Sequence, residues 1–138
     1  MVTSPRTYVL PDDVLSAVLE LARREIGKER LAFSGHDEDL QRIFSEISQD
    51  SKYDLLRLFV FSTSTSGPRP YSPALSDSVS KLQLAGLLGR QNPDYEVLFT
   101  TPSATRFYEE VLSHKFSRGQ IDQLREVARK FLTRIAPI

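Results

Sequence analysis

Residues 66–101 constrain the fold more than any other segment, because turn and helix-start residues set the order of its elements. Ser72 is followed by Pro73, a pair that predicts a helix start with serine as the cap and proline at the first helical position. Gly86 predicts the end of that helix, since glycine readily adopts the left-handed conformation that terminates helices. A helix is therefore expected over residues 72–86.

A two-stranded wing is predicted directly after this helix. The tripeptide Asn92-Pro93-Asp94 favours a turn, and strand-compatible residues flank it over 87–91 and 95–101. Before the helix, the run STSTSGPRP is predicted to be a surface loop, because its prolines oppose helix and its polar side chains gain little from burial. The order of loop, helix and wing is typical of a binding architecture.

Apolar spacing predicts further helices on both sides of this segment. Pro11 favours a helix start, and Asp12 and Asp13 carry charges that suit the positive end of a helix dipole. Residues 52–62 are apolar on nearly all sides, which predicts a buried central helix or, as the alternative, a buried strand. The expected helices span residues 11–27, 37–48, 52–62 and 102–116.

Length and composition fit a single domain over residues 1–138, since 40% hydrophobic residues are enough for one core. Residues 1–50 are interpreted as helical support, 51–116 as the core with the wing, and 117–138 as a C-terminal helix. The chain has no cysteine, which excludes disulfides and thiolate chemistry. No apolar run reaches the roughly 20 residues of a membrane span, and we predict a cytoplasmic protein without a membrane partner.

Residues that could act in catalysis or bind a metal are few. Only two histidines are present and the usual hydrolase, metalloprotease and dinucleotide motifs are missing, so we expect a non-enzymatic protein without cofactor or metal. Glu110 and His114 lie one helical turn apart and could position a general base, but a surface pair is favoured. His36 beside Asp37 and Asp39 has no recognised metal-ligand spacing.

The order of elements and one motif carry a resemblance to bacterial winged-helix proteins related to the Panacea family. In those proteins a G-P-Y-S-x-x-L type motif precedes a helix that ends in Gly-Leu. The matching residues here are Gly67, Pro68, Tyr71, Ser72, Pro73, Leu75, Leu82, Gly86, Leu87 and Leu88. Arg69 and Pro70 lengthen the loop of the motif. The strand over 95–101 and the helix after it more loosely resemble PadR-type regulators.

The resemblance covers residues 55–115 and implies a mostly α fold with a small β-hairpin wing, an α+β winged helix-turn-helix with extra N- and C-terminal helices. It also implies either DNA-binding regulation or antitoxin-like neutralisation and adaptor activity, between which the fold does not choose.

Protein binding is placed slightly ahead of DNA binding. The loop and helix start offer a rigid, aromatic and largely uncharged surface, which suits a protein interface. The candidate partner-binding residues are Arg69, Pro70, Tyr71 and Pro73. The alternative interpretation of Tyr71 is that it closes the core of the domain itself.

Duplex DNA is the alternative partner, with residues 72–86 as recognition helix and 87–101 as wing. The candidate DNA-binding residues are Ser72, Ser76, Ser80, Lys81 and Arg90. Against this stand Asp77 on the prospective groove face and the balance of eighteen basic and eighteen acidic residues, because DNA affinity depends on phosphate neutralisation. The acids predominate before residue 55, so a polyanion is expected to meet the C-terminal half.

The C-terminal helix carries an apolar stripe spaced three and four residues apart. This stripe suits a homodimer or packing across its own domain, and both are left open. Its members are Ile121, Leu124, Ala128, Phe131 and Ile135.

Overall fold

A computed structural model describes residues 8–62, 70–91 and 97–135 of the chain. These residues form a mostly helical fold with a small three-stranded antiparallel sheet, as expected for the α+β class. The helices are α1 (Pro11–Ile26), α2 (Asp37–Ser48), a 3-10 helix (Asp54–Phe59), α3 (Pro73–Leu84), α4 (Pro102–Phe107), a π-helical turn (Tyr108–Leu112), α5 (Ser113–Lys115) and α6 (Arg118–Arg134). The strands are β1 (Ala32–Ser34), β2 (Leu88–Gln91) and β3 (Val97–Thr100). None of these described helices is long and apolar enough to cross a lipid bilayer.

The central element of the core is α1. Every residue from Asp13 to Ala22 is buried, and α1 packs against both α3 and α6. Pro11 occupies the first turn and Gly27 ends the helix in the left-handed conformation, with φ of 69°, so both predicted boundaries are confirmed to within one residue.

The segment predicted as a buried central helix over 52–62 is instead the short 3-10 helix, so that prediction is wrong. Leu56 and Phe59 are buried, Leu55 and Leu58 are half-buried, and Val60 is exposed. In a 3-10 helix residues three apart lie on one side, so only part of this apolar segment reaches the core.

The sheet has the order β1-β3-β2, with antiparallel pairing throughout. The two C-terminal strands agree with the predicted hairpin, whose turn residues lie outside the described part of the chain. β1 was not predicted, because a three-residue Ala-Phe-Ser strand is too short to show an alternating pattern. It pairs with β3, and the backbone NH of Leu31 donates to the Thr100 hydroxyl at 2.9 Å.

The predicted signals at both ends of α3 are confirmed. The Ser72 hydroxyl accepts the Leu75 backbone NH at 3.2 Å, Pro73 occupies the first turn, and Gly86 has φ of 78° just after the helix. Thr101 also occupies a cap position, but its hydroxyl donates to the Gly86 carbonyl at 2.7 Å rather than capping α4.

The apolar stripe of α6 packs on its own chain. Leu124, Ala128 and Phe131 are buried against the core, and the Phe131 ring lies 5.5 Å from the rings of both Phe33 and Phe44. These three residues are therefore unavailable to a partner, which corrects their assignment to a dimer interface. Ile121 and Ile135, at the two ends of the stripe, are half-buried.

Candidate functional site

The candidate site surrounds Tyr71, just before α3. The Tyr71 side chain is 43% exposed, which places it at the surface rather than inside the core. Its carbonyl accepts the Ser62 backbone NH at 2.8 Å, in an isolated antiparallel bridge between these two residues. The Tyr71 hydroxyl lies 3.0 Å from the Ser76 hydroxyl, one turn into α3. Tyr71 is thus held in two places, through its backbone carbonyl and through its side-chain hydroxyl.

A polar network joins the start of α3 to α2. The buried Gln41 side chain accepts the Ser72 backbone NH and donates to the Ser72 carbonyl, both at 2.8 Å. Gln41 also donates to the Ser76 hydroxyl at 3.0 Å, and that hydroxyl donates to Asp37 at 2.7 Å. Because Ser76 gives its proton to Asp37, Tyr71 is the donor in their shared bond. Sequence spacing offered no signal for Gln41, which lies 31 residues from Ser72.

An apolar groove of about 380 Å³ lies beside this network, between α2 and the 3-10 helix. We call it the Val60 groove; its lining residues are Ser45, Ser48, Gln49, Leu56, Arg57, Val60, Phe61 and Pro70. Val60 has φ of 46° and its side chain is 71% exposed. A β-branched residue is strained at positive φ, and here its apolar side chain is also left in solvent. Sequence reasoning missed Val60 because it lies within an apolar run that predicted burial.

Three of the four predicted partner-binding residues are described by the structure, and their positions relative to this groove differ. Pro70 lines it and Tyr71 is adjacent in sequence, whereas Pro73 is exposed at the first turn of α3. Arg69 lies outside the described residues.

The predicted DNA-binding residues are brought together only in part, since Ser76, Ser80 and Arg90 line one open hollow of about 230 Å³. Ser72 is fully buried and its hydroxyl donates to the Phe59 carbonyl, so it is not available to DNA. Ser76 is half-buried in the network described above. Ser80 and Lys81 are exposed, and Arg90 is half-buried and has contacts within the chain. Ser72 is therefore a cap and core residue.

Of the candidate catalytic and metal-binding residues, Asp13 has a structural role, whereas Glu110 and His114 lie at the surface. Asp13 accepts the Leu10 backbone NH and pairs with Lys115, both at 3.0 Å, in agreement with the helix-start interpretation. Glu110 and His114 are both exposed. Across the described residues, no three His, Cys, Asp or Glu side chains are grouped so that they could hold a metal ion.

No protein-family model matches the sequence, and comparisons with curated proteins and with solved structures gave no match. The resemblance to Panacea-related and PadR-type proteins therefore stays a prediction from the sequence. The function has to be proposed from the geometry of the chain.

Proposed function

We propose that this chain is a non-enzymatic interaction module of the winged-helix type that acts by binding another protein. The support for the fold type is the order α1, β1, α2, 3-10 helix, α3, β2, β3, in which β1 pairs with β3. Apart from the inserted 3-10 helix, this is the arrangement expected of a winged helix. Function does not follow from a fold alone, so the proposal rests on the surface chemistry at the start of α3.

The observation that carries the proposal is the exposed, strained Val60 at the rim of the Val60 groove. Positive φ at a β-branched residue costs on the order of 1–3 kcal/mol. Because the side chain of Val60 is exposed, no packing in the core offsets this strain. Strained residues of this kind cluster at functional sites, among them active sites, ligand clamps and switch regions.

The chemistry of this surface suits a protein partner. Val60, Phe61 and Pro70 provide apolar contact area, and Tyr71 adds a fixed aromatic ring. Among the lining residues within the described ranges, Arg57 is the one that carries a charge. Interface centres are depleted in charge and enriched in aromatic residues, whereas phosphate binding needs several cations. We propose that an apolar side chain of the partner enters the groove and packs against Val60.

Affinity capture from the native cell, reading proteins and nucleic acids together, tests this function. We expect Val60→Asp and Tyr71→Ala each to release a protein that the wild type retains. Asp tolerates positive φ better than Val does, so the first variant should remain folded. Leu84→Asp is the matched control, because Leu84 is 89% exposed outside the groove and should be dispensable. Retention of the same protein by Val60→Asp would contradict the proposal.

DNA binding by α3 is kept as a second candidate, since Ser80 and Lys81 are exposed on the helix that a winged helix inserts into the major groove. Exposed Asp77 opposes it. If this candidate is right, duplex DNA should be retained at low salt, released as salt rises, and lost in the Lys81→Glu, Arg90→Glu double variant. Undiminished DNA binding by Val60→Asp would then assign function to α3, and no binding at low salt would exclude it.

A further inference from the structure

A second and larger concave surface lies between the C-terminal ends of α1 and α6 and the sheet, and it shares no residue with the Val60 groove. Its volume is about 700 Å³, within the range of small-molecule sites. We call it the basic groove; its lining residues are Ile26, Lys28, Arg30, Leu31, Ala32, Gln91, Leu132, Thr133 and Ile135.

The lining of the basic groove combines apolar surface with positive charge. Five of its nine residues are aliphatic, and Ile26 is 38% exposed although it belongs to a helix that is otherwise central. Among the lining residues that belong to the described part of the chain, Lys28 and Arg30 carry charge and none is acidic. A ligand that complements this surface therefore carries an apolar body and a negative charge.

Arg30 is held in place by a stack across the sheet. Its guanidinium carbon lies 4.6 Å from the centre of the Phe99 ring, a cation–π contact. The Phe99 ring in turn lies so close to Gly89 that a Cβ atom at that position would collide with it. Glycine at position 89 thus leaves room for the Phe99 ring, and that ring supports the guanidinium of Arg30, which is part of the groove lining.

We propose that the basic groove binds a small amphipathic carboxylate, with an aliphatic chain against Ile26 and Leu132 and the carboxylate on Arg30, assisted by Lys28. A guanidinium offers two parallel NH donors that match the two oxygens of a carboxylate, and orienting it beforehand reduces the entropy lost on binding. This ligand site is independent of the protein-binding surface at Val60.

Dodecanoate, kept below the concentration at which it forms micelles, is a suitable probe. Titration of the full chain, followed by calorimetry and by backbone amide NMR shifts, should show saturable binding of one molecule. The largest shifts are expected over residues 26–32 and 132–135. Dodecyltrimethylammonium has the same chain length with a positive head group, and it should bind far more weakly. Equal binding of both amphiphiles, or shifts centred elsewhere, would overturn the proposal.

Substitutions separate the charge from the geometry of the site. Arg30→Glu should weaken dodecanoate binding by about tenfold or more, since it removes a charge-assisted hydrogen-bonding pair. Arg30→Lys keeps the charge without the paired donors and should give an intermediate loss. Lys81→Glu makes the same charge change on the exposed face of α3 and should leave dodecanoate binding unchanged.

Gly89→Ala tests the stack itself. The added methyl group should displace the Phe99 ring and weaken dodecanoate binding, provided circular dichroism shows that the variant is folded. Gly119→Ala is the control, because a Cβ at Gly119 meets no atom within 4 Å. Wild-type affinity in both Arg30→Glu and a folded Gly89→Ala would reject Arg30 as the carboxylate ligand.

Discussion

Glu20 lies on the central helix α1, and its carboxylate side chain has no solvent exposure. Burial alone raises the pKa of such a group, but hydrogen bonds from Arg23, Arg24 and Thr105 outweigh this effect and hold the pKa of Glu20 below its ordinary value. Arg23 donates two hydrogen bonds to the carboxylate, at 3.1 and 2.8 Å. Arg24 donates one at 2.8 Å and the Thr105 hydroxyl one at 3.0 Å. The carboxylate thus ties the C-terminal part of α1 to α4.

Glu20→Gln should lower the free energy of unfolding near neutral pH by about 2 kcal/mol, because charge-assisted hydrogen bonds are lost in a buried place. The folded pKa is depressed, so the stabilisation by Glu20 is present above the pKa of the unfolded chain and disappears as pH falls through the folded pKa. Urea unfolding from pH 7 down to about 3 should therefore show wild type and variant converging.

Glu25→Gln is the control for that comparison, since Glu25 lies on the same helix in an exposed pair with Arg129. It should change stability by less than about 1 kcal/mol. A pH dependence of Glu20→Gln identical to that of the wild type would contradict the assignment.

At the scale of single elements, the start of α3 joins a helix cap to a buried network. Ser72→Ala should destabilise the protein by about 1–2 kcal/mol, because the Leu75 NH and the Phe59 carbonyl both lose their partner. Chemical denaturation measures this loss. Ser80→Ala, an exposed change in the same helix, should stay within about 0.5 kcal/mol of the wild type. Equal stability of the two variants would show that the cap is dispensable.

Element boundaries were predictable wherever a few neighbouring residues decide them. The spans of α1 and α3 agree closely with the predictions because Pro11, Gly27, Ser72 and Gly86 act through local backbone preferences. The span of α2 agrees with its prediction because its apolar residues recur at helical spacing. The 3-10 helix and β1 were not predictable, since an apolar run does not specify which of its residues reach the core and a three-residue strand forms only by pairing with β3.

In the molecule as a whole, α6 packs against α1, and its Phe131 is fully buried against Phe33 of β1 and Phe44 of α2. Phe131→Ala should lower the free energy of unfolding by about 3–5 kcal/mol. The urea midpoint should not depend on protein concentration, because the packing is within one chain. Ile121→Ala, at the half-buried end of the stripe, should cost less. A midpoint that rises with protein concentration would instead restore the homodimer interpretation.

Local sequence was enough to predict the ends of α1 and α3 and the α+β class, because caps, prolines and left-handed glycines act over a few residues. The packing of distant segments was needed to show that α1 rather than residues 52–62 is central and that Ser72 and Ser76 face α2. It alone decided that Arg30 stacks over Phe99. Whether a residue is buried or exposed depends on contacts between segments tens of residues apart. A local sequence pattern does not specify which of these segments pack together.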